Sequence, residues 1–208
     1  INMTLADFVN ETASESPAPG GGSISAYIGA LGGALTTMVA NLSSHKRGWD
    51  ERWDEFSQLA EKGQEYIVEL ESFVDQDTEA FNEIIRCFRL SANTKEEKEI
   101  KHDLIQKATL NAIKIPLKVM KTSLELMSLI KILVQKGNPN SVSDVGVAAL
   151  CARSAVIGAY LNVVINAKDY ENKKERDKLL KKASTIKKDA IKQEANIIKK
   201  TLEKIKDS

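Results

Sequence analysis

Pro17-Ala18-Pro19-Gly20-Gly21-Gly22-Ser23-Ile24-Ser25-Ala26-Tyr27-Ile28-Gly29-Ala30 opens a run of 28 residues, 17–44, without a charge, in a 208-residue chain that is 28% charged. Three consecutive glycines lose backbone entropy on folding and are favoured where φ turns positive or another group must approach closely. Ser23 then reads as a helix cap, and the residues from Ile24 onward as an apolar helix. A glycine loop feeding a helix start presents free N–H groups and the positive end of a dipole, which suits an anion or an electron-rich polar ligand.

Residues 24–42 are long enough to span a membrane by length alone. Ser25, Tyr27, Thr36, Thr37 and Asn41 are spread through them, however, and no block of large apolar residues dominates. Ala26, Gly29, Gly33, Thr37, Ala40 and Ser44 recur at spacings of three and four, a stripe of small side chains along which another helix can lie close. The stretch predicts a buried core helix, and neither it nor any other segment calls for a membrane.

Outward from it, nearly every segment has helical period and none alternates like a strand. The expectation is an all-α bundle in a single domain over residues 1–208. A first helix is predicted over 4–13, the neutral helix over 23–44, a long helix over 50–90 and a further helix from a Thr94/Glu97 capping box to about 114. There Pro116 kinks the helix or starts a successor. Gly137-Asn138-Pro139-Asn140 closes that segment. A second nearly neutral helix over 145–167 carries one interior charge, Arg153, with Asp144 as its nearest carboxylate in sequence. A last helix over 173–206 carries Ile191, Ala195, Ile198, Leu202 and Ile205 at coiled-coil-like spacing. Two helices that are apolar nearly all round must be covered on every side, so an obligate homodimer is expected, with these helices near the interface.

Net charge of +1 and a pI near 7.9 give no case for a nucleic-acid partner. Cys87 and Cys151 lack metal-ligand spacing and only two histidines occur, so no metal site is expected. Free thiols suit a reducing, cytoplasmic compartment. Among groups with chemistry, Asp75 and Asp77 point to different faces of their helix and form no obvious shared pair. Asp77 lies one turn before Phe81 on the apolar side, where burial would raise its pKa and fit it for proton transfer; a salt bridge to another helix is the competing reading. Ser154, Gly158, Asn162, Asn166 and Asp169 share one face of the second neutral helix, either as packing or as a ligand-facing stripe. His45-Lys46-Arg47 compensates a helix C-terminus or clamps a carboxylate.

In combination, Pro19-Gly20-Gly21-Gly22-Ser23, Gly137-Asn138 with Ser143-Asp144, and Gly158-Ala159-Tyr160-Leu161-Asn162-Val163 with Asn166 resemble the cyclodeaminase/cyclohydrolase family of folate enzymes. Lys46-Arg47, Asp75-Gln76-Asp77, Ala80-Phe81 and Pro116-Leu117 fall where that family's pattern places them. The resemblance implies an all-helical homodimer that binds a tetrahydrofolate derivative as substrate, with no metal and no separate cofactor. The implied reaction is hydrolysis of 5,10-methenyltetrahydrofolate to the 10-formyl form, or ring closure of 5-formiminotetrahydrofolate with release of ammonia. Both pass through a tetrahedral carbon between N5 and N10 and need a proton acceptor and a donor, for which Asp77 and Asp144 are the candidates.

Gly20, Gly21, Gly22, Ser23, Asn138, Asn162 and Asn166 are the implied substrate-binding set, and Lys46 and Arg47 the implied partners of the glutamate tail. The family's cyclodeaminase domains carry a histidine early in the long helix, whereas Glu61-Lys62-Gly63-Gln64-Glu65 has none, which favours the hydrolase. Leu90-Ser91-Ala92 also stands where relatives often have Leu-Pro-Lys. On the residues alone, a non-catalytic helical dimerisation protein remains the alternative. A helix over 23–44 spans roughly 33 Å, so a second subunit must supply one end of the site or one of the two assignments fails.

Overall fold

The helical period is realised in six helices of a computed structural model that describes residues 3–207: α1 (Leu5–Thr12), α2 (Gly21–Ser44), α3 (Trp53–Arg89), α4 (Lys95–Lys136), α5 (Val142–Asn166) and α6 (Lys173–Lys206). No strand occurs among the described residues. The helix starts are written locally: Thr4 accepts from the Asp7 N–H, Thr94 and Glu97 form a reciprocal capping box, and Asn172 accepts from the Glu175 N–H. At the end of α3 the Lys101 ammonium donates to the carbonyls of Phe88 and Leu90, each at 2.7 Å, closing orphaned acceptors.

α2 lies at the centre, antiparallel to α3 on one side and α5 on the other, with α4 beneath and α6 outside α4 and α5. The small stripe of α2 is what lets α3 come close. A Cβ on Gly33 would stand 2.9 Å from Ile67 Cγ1, and one on Gly63 of α3 would overlap the Thr37 hydroxyl. The hydroxyls along α2 do not break it, because Ser25, Thr36 and Ser43 donate back to the carbonyls of Gly21, Gly32 and Val39 at 2.6–2.7 Å.

Four expectations are corrected. α2 begins at Gly21, so Ser23 is inside the first turn and caps nothing; the cap position falls to Gly20. Pro116 starts no new helix, since α4 runs for 42 residues through it. Of the expected row, Ile191, Ala195, Leu202 and Ile205 face outward and only Ile198 is half-buried, and α6 packs within the chain through Ala190, Glu194, Ile197 and Thr201. Arg153 pairs with Glu194 at 3.6 Å, not with Asp144, because α6 and not the start of α5 lies beside it.

Candidate active site

The first turn of α2 meets the middle of α3 at one end of the bundle. Gly20, extended at φ −118° and ψ −161°, offers no side chain to close that turn. Asp77 of α3 takes the role from outside: Ser23 Oγ donates to Asp77 Oδ2 at 2.9 Å and lies 3.3 Å from Thr78 Oγ1. The carboxylate thus faces the positive end of α2. The approach is so close that a Cβ on Gly22 would overlap the carboxyl group. Burial pushes the Asp77 pKa up from its ordinary value, and hydrogen bonds from the Ser23 side chain and backbone only partly offset it.

The last turns of α5 bring Asn162 and Asn166 to the same place. Asn162 Nδ2 donates to the Gly158 carbonyl at 2.9 Å, and Asn166 Nδ2 donates to the Ala112 carbonyl of α4 at 2.8 Å. Each amide uses one of its two N–H donors on backbone and keeps the other N–H and its acceptor oxygen for a ligand. The connection to α6 is held down beside them, where Gln106 bonds the Asp169 carbonyl and the Glu171 N–H.

These groups enclose a pocket of ≈ 240 Å³. Gly20, Gly21, Gly22, Asp77, Asn162 and Asn166, all named from the sequence, come together in its lining, and Ser23 holds Asp77 from behind. Pro17, Ala18, Phe81, Ile84 and Ala112 complete the wall. Phe81 and Ile84 follow Asp77 at helical spacing and were legible on that ground, whereas Ala112 carries no sequence signal. Asp77 is the only ionisable side chain in this lining. That volume lies below the roughly 300 Å³ at which sites for whole drug-sized ligands begin.

The other four anticipated residues lie elsewhere. Lys46 and Arg47 follow the C-terminal end of α2, with the Lys46 ammonium 4.2 Å from the centre of the Trp49 ring. Asn138 is tied to that same end by its N–H to Ser43 Oγ, at 2.8 Å. Asp144 sits in the first turn of α5, about 27 Å along the helix from Asn162 at 1.5 Å per residue. Ser154, anticipated on the asparagine face, is exposed, and Asp169 lies past the end of α5.

A glycine turn receiving a half-buried carboxylate, beside two anchored amides, is the arrangement that the comparisons with known proteins address. The family model described as formiminotransferase-cyclodeaminase matches residues 4–185. The chain belongs to this family. As a family member it is 36% identical over 180 residues to methenyltetrahydrofolate cyclohydrolase of Methylorubrum extorquens, covering 86% of each chain. It is 33% identical over 198 residues to the formimidoyltransferase-cyclodeaminase of Rattus norvegicus, covering 95% of this chain and 37% of the rat protein. Its fold matches the crystal structure of formiminotetrahydrofolate cyclodeaminase from Thermotoga maritima with a TM-score of 0.86, at 26% identity over 98% of both chains. The chain is therefore an enzyme of the cyclodeaminase/cyclohydrolase family of folate one-carbon metabolism, whose members act on tetrahydrofolate derivatives.

Proposed function

We propose that the protein hydrolyses 5,10-methenyltetrahydrofolate to 10-formyltetrahydrofolate, with Asp77 as the proton-transfer group. The observation that carries this reading is the solitary Asp77 carboxyl in the pocket. The methenyl carbon is already an electrophile because it shares the positive charge of N5 and N10, so attack by water needs a proton acceptor, which can afterwards return the proton to N5. Ring closure of a formimino group needs the same two transfers, a proton taken from N10 and one given to the departing nitrogen, but the long helix lacks the histidine that the family's cyclodeaminase domains carry. The similarity to a cyclohydrolase over 86% of both chains supports the same choice.

In this mechanism the Asp77 carboxylate attracts the cation and takes a proton from water as the C–O bond forms. It then returns that proton to N5 as the C–N5 bond breaks. The carbinol proton passes to solvent as the formyl C=O forms on N10, so the sum is substrate cation plus water giving product plus a proton. The Asn162 and Asn166 oxygens accept from N–H groups of the pterin, and the bare backbone of Gly20 to Gly22 lets the flat ring approach. The aryl arm leaves along α3, whose core stripe emerges from the bundle beyond Asp77: Leu70 is 0% exposed, Phe81 37% and Phe88 58%.

The proposed assembly is a cytoplasmic homodimer. α2 and the segment Pro139–Asp169 are long and apolar enough to cross a membrane, yet only 56% and 39% of their most apolar windows are buried within the chain. Leu31, Met38 and Leu42 of α2 and Val147, Leu150, Leu161 and Ile165 of α5 stand outward. The Arg153–Glu194 pair on α5 and α6 makes a second copy a better cover than lipid, where a charge at mid-helix is costly. Within one chain Lys46, Arg47, Asn138 and Asp144 cannot reach a ligand beside Asp77, so any part they take comes from the partner's far end.

Purified protein mixed with 5,10-methenyltetrahydrofolate is expected to speed the loss of amidinium absorbance above the buffer rate; an unchanged rate with folded dimer in hand sinks the hydrolase reading. The cyclodeaminase alternative is read by ammonia released from 5-formiminotetrahydrofolate. If Asp144 acts across the dimer, Asp77→Asn and Asp144→Asn chains, each inactive alone, recover about a quarter of wild-type activity on co-expression. Half of the dimers are then mixed, each with one intact site of two. No recovery places Asp144 outside the chemistry of the Asp77 pocket.

A further inference from the structure

Pro116 lies in the interior of α4, fully surrounded, in a helix that continues for five turns beyond it. In an α-helix the N–H of residue 116 would bond to the carbonyl of residue 112. Proline has no N–H, and its ring crowds the carbonyl four residues back and tilts it off the axis. In this chain that carbonyl belongs to Ala112, which lines the pocket and accepts from Asn166 Nδ2 at 2.8 Å. The bond that the proline leaves unmade inside α4 is replaced by one from α5, and it falls on a residue of the site.

We propose that Pro116 is a positioning residue for this pocket: it hands the Ala112 carbonyl to Asn166, and that contact turns the Asn166 amide oxygen toward the ligand. The orientation is enforced by chemistry, since flipping the amide would set its oxygen against the Ala112 oxygen. Asn162, one turn earlier, is oriented the same way by the Gly158 carbonyl. Both amide oxygens are thereby left free to accept while each NH2 keeps one further N–H, an arrangement that suits a ligand edge on which N–H donors alternate with acceptors. The inference rests on the reading of this pocket as the pterin site and adds what sets its polarity. Pro116 itself touches no substrate and acts through Asn166.

The test is a double-mutant cycle of Pro116→Ala and Asn166→Ala, with kcat and KM for 5,10-methenyltetrahydrofolate and thermal unfolding for each variant. Pro116→Ala restores the helical N–H that competes for the Ala112 carbonyl. Its KM is expected to rise about tenfold, the equivalent of one misplaced hydrogen bond, with kcat within about twofold. In the Asn166→Ala background the same change is expected to leave KM where it was. A wild-type KM in Pro116→Ala, or KM effects that multiply independently of Asn166, overturns the proposal.

Asn166→Asp serves if Pro116→Ala does not fold: it keeps the shape, puts an oxygen against the Ala112 carbonyl, and is expected to raise KM as Asn166→Ala does. A wild-type KM there also overturns the proposal. Wild-type protein that folds but does not turn over methenyltetrahydrofolate sinks the hydrolase reading instead. The amide is then read by the rise in Tm that tetrahydrofolate produces, which the variants must lose and the wild type retain.

Discussion

Replacing Asp77 by Asn is expected to lower kcat by about 10²–10⁴-fold, the range for removing one positioned acid or base, without loss of thermal stability. Asn keeps the shape and an oxygen for the Ser23 hydroxyl, which now bonds Asp77 Oδ2 at 2.9 Å. The stability sign follows from the raised pKa. Between the unfolded value and the higher folded value, the native state holds more protons than the unfolded one, so stability falls as pH rises through that window. At neutral pH the charged Asp77 therefore works against folding, and the neutral amide removes that burden. Unfolding curves at pH 7 should place Asp77→Asn at or above the wild-type Tm. The same shift sets the acid limb of wild-type turnover: activity is lost as pH falls through the raised Asp77 pKa, above where an ordinary carboxylate would titrate. A variant that loses stability along with activity would mean that Asp77 is a structural cap only.

Gly22→Ala should be the most damaging of the three glycine substitutions. Its new Cβ overlaps the Asp77 carboxyl group, so the side chain must rotate out of its bond with Ser23 or α2 must shift. Displacement of about 1 Å at the reacting groups is enough for roughly 100-fold in rate, and overpacking costs about 1–3 kcal/mol of stability. Gly20→Ala is the control, because its Cβ would meet nothing closer than the Pro17 carbonyl at 3.8 Å. Gly21→Ala is intermediate, with Asn162 Nδ2 at 3.4 Å. Steady-state kinetics of the three should rank Gly22 far worst, and equal effects would mean that the loop acts through flexibility and not through contact with Asp77.

Much of this site is legible in the chain before any coordinate. The glycine triplet, the carboxylate on the apolar side of a long helix and the two amides on a core helix each break a local rule, and local rules fail most often where function intrudes. Ser23 was misread because Ser just before an apolar helix is the usual cap, whereas Asp77 contributes the cap from 54 residues away. The α6 seam was misread because two adjacent stripes on one helix both have acceptable period; which of them is buried depends on the surface that α5 presents. A restart at Pro116 stayed open as a reading because sequence cannot show that Asn166 would take up the carbonyl it frees.

Sequence alone determined the all-helical class and the neutral core helix and singled out the glycine triplet, Asp77 and the two asparagines as unusual, because helical period, small-residue stripes and polar groups on apolar faces are properties of single segments. Only the tertiary structure decided which of those residues meet. It gathered Gly22, Asp77, Asn162 and Asn166 at one end and left Lys46, Arg47, Asn138 and Asp144 at the other. A helix transmits position along its axis at 1.5 Å per residue. Two motifs at opposite ends of the same long antiparallel helices are thus neighbours in pattern and strangers in space.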